Sequence, residues 1–311
     1  MKYTFLLLSV LFLSCQTNKE QHLAQQGVSK VSEALAPSAY EAEAELRSLS
    51  DEFKDYWFAG EAEISSYTLE QARYGELRKG TAVLIYVTED FLPDQQVKAD
   101  QQQDSNVPVL KLNSTKNFVT GIYPYSIMNS TFLPLSSEDH AIKVTNSIQE
   151  WCGQVYAQIN NREQFEIQAH SYFEGEADQH YSLPKTILEN ELWTLLRVNP
   201  DELPTGTLEI IPNLEYLRLK HQKIQAYTAK VSHKPGVYTI DFPSLSRKLT
   251  LFYETTFPFG ITGWEESFTS GFGPNAKQMT TTATRKERLK TPYWRQNGTA
   301  DESLRTQLGL D

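Results

Sequence analysis

The sequence predicts a mainly β fold of the α+β class: a large antiparallel meander that forms a curved sheet or an open barrel, with two or three short helices. Aromatic residues make up 12% of the 311 residues, including 16 Tyr and 15 Phe, and aromatic side chains favour strands. Short apolar runs alternate with polar residues along most of the chain, which is typical of half-buried strands. Turn residues separate these runs, so neighbouring strands are expected to pair as hairpins.

The chain begins with MKYTFLLLSVLFLSC, which has the pattern of a secretory signal. The apolar run 5–13 behind Lys2 would be about 13 Å long as a helix, too short to span a hydrocarbon core of about 30 Å. The last four letters, Phe-Leu-Ser-Cys, resemble a bacterial lipobox, in which the cysteine is acylated and becomes the new N-terminus. The resemblance implies a lipid on Cys15; the alternative is an ordinary signal peptide with an incidental cysteine.

The residues after Cys15 predict where the protein resides. Position 16 is Gln rather than Asp, which in the sorting rule for such lipoproteins implies the outer membrane. No acidic export run follows, so we expect a periplasm-facing rather than a surface-exposed protein. Three segments are predicted: a signal peptide over 1–14, a polar tether over 15–36 and a single β-rich domain over 37–311.

Two helices are predicted at the ends of this domain. Capping boxes at Ser38–Glu41 and Thr299–Glu302 predict an N-terminal helix over 38–49 and a C-terminal helix over 300–309. A third helix is predicted over 185–200, where apolar residues recur at helical spacing and Pro200 ends the pattern.

Strands are predicted over most of the remaining domain. The turn "LRKGT" precedes a strand over 82–87 that is apolar enough to be buried on both faces. Segment 257–273 is predicted as a loop or a bulged strand. Half-buried strands are predicted over 109–113, 118–126, 130–135, 141–147, 151–159, 163–173, 207–211, 215–221, 223–231, 236–242 and 247–254.

The charge balance argues against nucleic acid as a partner. Removal of residues 1–14 takes away only Lys2, which leaves 28 basic and 39 acidic residues and a net charge of −11. A net-negative surface gains nothing from counterion release on nucleic acid. The basic cluster TRKERLK, 284–290, is interpreted as a solvated face, and the alternative is a phosphate or headgroup contact.

Cysteine and histidine usage leaves one catalytic alternative open. If Cys15 carries lipid, Cys152 has no partner for a disulfide. Cys152, His170 and Glu174 could form a nucleophile with its base. However, the residues after Cys152 are predicted as a strand, so no helix dipole would lower the pKa of its thiol. We interpret Cys152 as a small residue on a strand. The histidines show no paired ligand spacing and no cofactor motif occurs, so neither a metal nor a cofactor is predicted.

Several segments carry a family resemblance. The stretches EISSYTLEQARYGELRKGTAVLIYVTEDF, TGIYPYSIM, EWCGQVY and HSYFEGE resemble a family of uncharacterised Gram-negative envelope lipoproteins, often labelled "septum formation inhibitor Maf". The likeness covers the chain from about residue 56 onward. It implies an envelope location, and the label alone implies a role in division. True Maf proteins are cytoplasmic nucleotide pyrophosphatases, and their Ser-x-Arg-Arg signature is not present here.

These observations favour a non-enzymatic protein attached to the membrane through its N-terminal lipid. A meander with a helix also resembles, more distantly, lipoprotein carriers whose curved sheet holds a lipid-sized cavity. We expect an apolar envelope ligand or a protein partner to bind an aromatic concave surface; the alternative is ordinary core packing of these rings. The competing hypothesis is a Cys152-dependent hydrolase or transferase. The candidate binding residues are Tyr123, Tyr125, Phe257, Phe259 and Trp264.

Overall fold

A 16-stranded, almost entirely antiparallel sheet dominates the computed structural model. The structure describes residues 47–136, 139–271 and 273–311, all within the compact unit Ala44–Asp311. The predicted signal peptide with Cys15, the tether and residues 38–46 of the predicted first helix lie outside the described residues. The predicted mainly β, antiparallel fold is confirmed.

The strands pair with their neighbours in the order β10-β11-β12-β13-β14-β15-β16-β1-β2-β4-β5-β6-β7-β8-β9, with β3 added to β2. Every pair is antiparallel except the short parallel pair β10–β11. In chain order the strands are β1 Ala62–Arg73, β2 Glu76–Leu92, β3 Val97–Lys98, β4 Val107–Thr120, β5 Tyr123–Pro134, β6 Lys143–Glu150, β7 Gly153–Asn161, β8 Phe165–His170, β9 Gln179–Leu183, β10 Ile187–Leu188, β11 Gly206–Ile211, β12 Tyr227–Lys234, β13 Val237–Phe242, β14 Arg247–Tyr253, β15 Ile261–Ser270 and β16 Lys277–Thr291.

Four α-helices accompany the sheet within the described residues. None of them is long and apolar enough to cross a membrane. Their bounds are α1 Asp51–Trp57, α2 Glu189–Val198, α3 Leu214–Leu219 and α4 Ser303–Gln307.

The sheet curls until its two edges nearly meet. Strands β9 and β10 lie at opposite ends of the pairing order, yet only residues 184–186 separate them in the chain. A connection from Leu183 to Ile187 can span at most about 14 Å. The two edges therefore lie close together without pairing, and the described sheet is an open barrel.

Helix α2 lies inside this curled sheet and packs against β4 and β5. Nine of its ten residues are buried, so it is enclosed on every side rather than resting on one face. Two arginine–glutamate pairs hold it. Arg197 near its end donates two hydrogen bonds of 2.8 Å each to Glu63 of β1, and Glu189 at its start pairs with Arg247 of β14.

Two sequence predictions in the second half of the chain are wrong. Segment 215–221 is not a strand: Leu214–Leu219 form helix α3, whose start is capped by the Asn213 side chain accepting from the Glu215 amide. The charged stretch 277–291, for which no strand was predicted, is the long strand β16 between β15 and β1. In both places contacts with distant segments, rather than the local sequence pattern, determine the secondary structure.

Turns and helix ends also differ from the predictions. The β1–β2 hairpin turns at Tyr74 and Gly75, not at 77–81. Strand residues 82–86 alternate between buried and half-buried and Val87 is buried, so the strand is not fully buried on both faces. Arg47 to Leu49 are not helical, and the first described helix begins after a Ser50 cap. Strand 151–159 begins only at Gly153.

At the C-terminus, the predicted helix over 300–309 takes the form of a short 3-10 helix, Thr299–Glu302, followed by α4. The capping box predicted there does not form in the described residues. Instead, the Gly298 amide donates to Asp301 Oδ2 at 3.0 Å.

The basic cluster 284–290 lies along β16. Arg285 and Arg288 both donate to Glu254, in the segment before β15, and Lys290 lies 3.6 Å from Glu61. These ion pairs are at least partly exposed, as expected of a solvated face.

Candidate functional site

Small side chains form the floor of a cavity on the inner face of β6–β9. Asn146 pairs with Ala157, Ala157 pairs with Ala169, and Ala169 pairs with Gln179, so one row of residues crosses four strands. Because two members of this row are alanines, the sheet leaves space above them. The adjacent row carries larger side chains: Val144, Ile159, Ile167 and Tyr181.

Helix α3 and the segment 220–225 after it form the opposite wall. Leu214 and Ile224 contribute apolar surface to this wall, and Arg218 and His221 contribute polar groups. The cavity volume is about 460 Å³, within the range of roughly 300–1,000 Å³ that small-molecule sites occupy. We call this cavity between β7–β9 and α3 the α3 cleft.

Several contacts fix the wall relative to the floor. Tyr181 of β9 donates its hydroxyl hydrogen to the Ile224 carbonyl at 2.9 Å, which closes one end of the α3 cleft. At the other side, Glu215 of α3 is buried and accepts hydrogen bonds from Lys116 at 2.8 Å and from Asn129 at 3.2 Å. Asn129 in turn accepts from Asn146 on the cleft floor at 2.9 Å. A continuous polar network therefore joins the two walls.

A second cavity of about 240 Å³ adjoins the α3 cleft. The two share Val155, Arg218 and His221 as lining residues. We call the second cavity the arginine pocket, because two arginines line it. Its other lining residues are Tyr74, Tyr125, Ile148, Glu150, Cys152, Gly153, Phe173 and Leu219, with Arg73 as the second arginine.

Arg73, the last residue of β1, lies at the centre of this pocket. Its Nη1 donates to the Leu219 carbonyl at 2.9 Å, and its Nη2 donates to the hydroxyls of Tyr125 at 3.1 Å and Tyr74 at 3.2 Å. The two hydroxyls are 2.8 Å apart. The guanidinium carbon lies 4.3 Å from the centroid of the Tyr74 ring. Arg73 forms no ion pair with a carboxylate in the part of the chain that the structure describes.

Arg218, unlike Arg73, forms an ion pair with a carboxylate. Its Nη1 donates to Glu176 at 3.1 Å, and the same carboxylate oxygen lies 2.6 Å from His221 Nδ1. Its guanidinium carbon lies 4.3 Å from the centre of the Phe173 ring. Burial lowers the pKa of Arg218; the Glu176 carboxylate opposes this effect, and the charge of Arg73 adds to it.

Cys152 is an exposed turn residue rather than part of a strand. Trp151 and Cys152 connect β6 to β7, where Glu150 pairs with Gly153. The Cys152 amide donates to the Glu150 carboxylate at 2.8 Å. A hydrogen bond to Glu150 and the charge of that carboxylate raise the pKa of the Cys152 thiol. These contacts favour the thiol over the nucleophilic thiolate.

The other two members of the predicted catalytic set lie apart from Cys152. His170, the last residue of β8, pairs with Tyr156 and lines the α3 cleft, and its Nδ1 lies 3.1 Å from Asp178. Glu174 is exposed in the loop between β8 and β9. No hydrogen bond joins Cys152 to His170 or Glu174 among the described residues. The histidine that lines the arginine pocket with Cys152 is His221.

The five aromatic candidates do not form one surface. Tyr123 and Tyr125 neighbour each other on β5, with ring centres 5.9 Å apart, and Tyr125 lines the arginine pocket. Phe257 and Phe259 pack edge to face at 5.7 Å, in the segment between β14 and β15. Trp264 is buried, and its ring contacts Tyr67 of β1 and Trp193 of α2.

Exposed apolar residues lie beside the arginine pocket. Ile122 is 80% exposed, and Trp151 is 68% exposed. The Trp151 ring lies 6.4 Å from that of Tyr123, and the Tyr172 ring packs over Gly153 in the next turn. We call Ile122, Tyr123, Trp151 and Tyr172 the aromatic ridge.

Of the predicted site residues, Tyr125 and Cys152 line the arginine pocket and His170 lines the α3 cleft, whereas sequence reasoning missed the other residues that build the two cavities. The paired alanines Ala157 and Ala169 carried a weak signal, because two small residues in facing strands leave space. Arg73 and Arg218 carried none, since single cations in an acidic chain are common. No group of three or more metal-ligating side chains occurs in the described residues.

Comparison with known proteins identifies no family for this chain. No family model and no curated protein matches the chain. A solved β-barrel-like protein of the domain of unknown function DUF1849 from Brucella abortus is 6% identical, with a TM-score of 0.35, and covers 74% of this chain and 97% of its own. A porin-like protein from Bacteroides uniformis is 9% identical, with a TM-score of 0.21, and the match covers 72% and 95%.

Likenesses at these identities and scores carry no argument about function. The resemblance to envelope lipoproteins labelled Maf stays a prediction.

Proposed function

We propose that this protein is a non-enzymatic binding protein whose ligand is a small apolar or amphipathic molecule held in the α3 cleft. A lipid on Cys15 attaches it to the outer membrane, with the binding domain in the periplasm. The observation that carries the proposal is the cavity of about 460 Å³ above Ala157 and Ala169. Small-molecule sites occupy cavities of roughly 300–1,000 Å³, so a ligand of that class would fit the α3 cleft.

The lining supports a ligand that is mostly apolar. Val155, Leu183, Leu214 and Ile224 give the cleft aliphatic surface, and glutamine, histidine and arginine side chains lie along its edges. Sites for small molecules have this composition: an apolar wall with a few polar groups that set orientation.

A neutral apolar dye tests the proposal. N-phenylnaphthylamine, which fluoresces when it leaves water, should bind the purified domain at one site. The substitution Ala157→Phe places a ring in the cleft and should weaken binding about tenfold or more, a loss of about 1.4 kcal/mol or more, because the ring occupies volume that the dye needs.

Gln154→Phe is the matched control, because Gln154 is exposed on the opposite face of the same strand. It should leave the affinity for the dye unchanged. Equal effects of the two substitutions, or no binding of the dye to the unmodified domain, would exclude the α3 cleft as the site.

A second candidate function is contact with a protein partner through the aromatic ridge. Ile122 and Trp151 are large apolar residues at 80% and 68% exposure on neighbouring turns. Exposed apolar surface of this kind marks interaction sites, and the net negative charge disfavours an anionic lipid surface as the occupant. A photo-crosslinking residue at position 122 should capture a specific partner in cells; the same residue at exposed Lys79 is the control. Identical products at both positions would contradict this function.

A further inference from the structure

The arginine pocket contains a cation whose charge no carboxylate balances. Arg73 donates to one carbonyl and two tyrosine hydroxyls, all neutral groups. Its Nε is also buried without a hydrogen-bond partner. A partly buried charge without a counter-charge is unfavourable unless a ligand supplies one.

The acidic residues nearby are engaged elsewhere. Glu176 accepts from Arg218 and Ser171 and contacts His221. Glu150 lines the same pocket, but its carboxylate accepts the Cys152 amide hydrogen at the exposed turn. Neither acid lies within ion-pair distance of Arg73 in the described structure.

The charge of Arg73 acts on two neighbouring cations, Lys220 and Arg218. Burial lowers the pKa of Lys220, and the charge of Arg73 lowers it further. The same charge acts on Arg218, as described above. An anion beside Arg73 and Arg218, which both line the arginine pocket, would relieve the repulsion between them.

We propose that the ligand of this protein is an anionic amphiphile, with its anionic head in the arginine pocket against Arg73 and its apolar body in the α3 cleft. The proposal rests on the proposed function and assigns its ligand class. The two cavities adjoin at Val155, Arg218 and His221, so one molecule can occupy both. A free inorganic anion would fill only the smaller cavity and leave the apolar walls exposed to water.

Two dyes with the same ring system test binding of the anionic head separately from binding of the apolar body. Anilinonaphthalene sulfonate carries a sulfonate that N-phenylnaphthylamine lacks. Arg73→Gln removes the charge and retains a donor for the Leu219 carbonyl. It should weaken binding of the sulfonate dye at least about tenfold, the usual value of one charge-assisted hydrogen bond, and change the affinity for the neutral dye less than about twofold.

Lys79→Gln is the control of equal charge change, because Lys79 is exposed on β2 and lines neither cavity. It should leave both affinities unchanged. If Arg73→Gln and Lys79→Gln act alike, or if Arg73→Gln weakens both dyes equally, the assignment of an anionic head is overturned while the α3 cleft remains a binding site. If the neutral dye does not bind at all, the proposed function itself fails.

Competition on the unmodified protein gives a test that does not depend on how a variant folds. Laurate and dodecyl phosphate should displace the neutral dye at concentrations at least about tenfold lower than dodecyltrimethylammonium, which has the same chain and the opposite charge. The ratio of the concentrations at which laurate and dodecyl phosphate displace the dye distinguishes a carboxylate head from a phosphate head. Inorganic phosphate should not displace the dye. If laurate, dodecyl phosphate and dodecyltrimethylammonium displace the dye at equal concentrations, or if inorganic phosphate alone displaces it, the proposal is overturned.

Discussion

The pair Arg197–Glu63 offers a quantitative test of the enclosed helix α2. The Arg197 side chain is 1% exposed and that of Glu63 is fully buried. Substitution Arg197→Met removes two charge-assisted hydrogen bonds of 2.8 Å and leaves a buried carboxylate whose remaining side-chain partner is the Tyr56 hydroxyl at 2.5 Å. Removal of one member of a buried pair costs about 3–5 kcal/mol.

The expected loss can be measured by equilibrium urea unfolding followed by tryptophan fluorescence. For a body of this size, each kcal/mol lowers the melting temperature by about 2 °C, so thermal unfolding should shift by roughly 6–10 °C. The exposed pair Arg162–Glu166 provides the control, since its side chains are 39% and 36% exposed. Arg162→Met should cost less than about 1 kcal/mol.

The same pair predicts how the loss depends on pH. Burial alone would raise the pKa of Glu63, but the charge and hydrogen bonds of Arg197 outweigh it and hold the pKa below the ordinary value of 4.5. A lowered pKa stabilises the folded state above pH 4.5, and this contribution is lost as the pH falls through the folded pKa. In Arg197→Met, only the Tyr56 hydrogen bond and the charge of Arg288 oppose the effect of burial on the pKa of Glu63, so the carboxyl protonates more readily in the folded state. The difference in stability from the unmodified protein should therefore narrow as the pH falls toward 4.5.

A double variant completes the test. Replacing both members, with Glu63→Met added to Arg197→Met, removes the unpaired carboxylate and should recover more than about 1 kcal/mol relative to the single variant. A single variant within about 1 kcal/mol of the unmodified protein would refute the enclosure of this pair, as would a double variant no more stable than the single one.

Two further predictions concern other titrating groups. Burial would lower the pKa of His140, but its hydrogen bond and ion pair with Glu191, 2.8 Å away, raise the pKa above the ordinary 6.5. The stabilisation is present in full below pH 6.5 and is lost as the pH rises through the folded pKa. The urea midpoint of the unmodified protein should fall over that interval, and that of His140→Gln should not; parallel curves would contradict this. Because Glu150 raises the pKa of Cys152, the thiol should react with iodoacetamide more slowly than free cysteine. Faster alkylation would restore the nucleophile hypothesis.

Alternating patterns made much of the sheet predictable from the sequence. Strand β13, Val237–Phe242, alternates half-buried and buried residues along its whole length, and the turn at Pro235 and Gly236 pairs it with β12. The alternating pattern led to a wrong prediction for α3, because a short apolar segment such as Leu214–Leu219 fits both the two-residue period of a strand and the 3.6-residue period of a helix. Its buried Glu215 and the Asn213 cap determine the helix, and both depend on the tertiary surroundings. No strand was predicted over β16 because its many charged residues hide the alternation of polar and apolar positions.

The candidate site could not be predicted from the sequence because its walls come from distant segments. The floor depends on the register of β7 and β8, which pairs Tyr156 with His170 and places Ala157 directly opposite Ala169. The sequence alone does not determine this register. The wall depends on α3, and Arg73 reaches the site only because the β1–β2 hairpin ends beside Leu219.

The polar interior of the barrel explains how the site keeps its geometry. Glu189, at the start of α2, binds Arg247 and also accepts the Asn213 amide hydrogen at 3.2 Å, just before α3 begins. Arg247 donates in addition to Glu266 of β15 at 2.7 Å. The wall of the α3 cleft is therefore fixed to the sheet through buried charges, which leave no low-energy alternative position once water is excluded. A preformed cavity loses little conformational entropy when a ligand enters, so the proposed ligand would gain affinity from buried ion pairs that hold the site open without touching it.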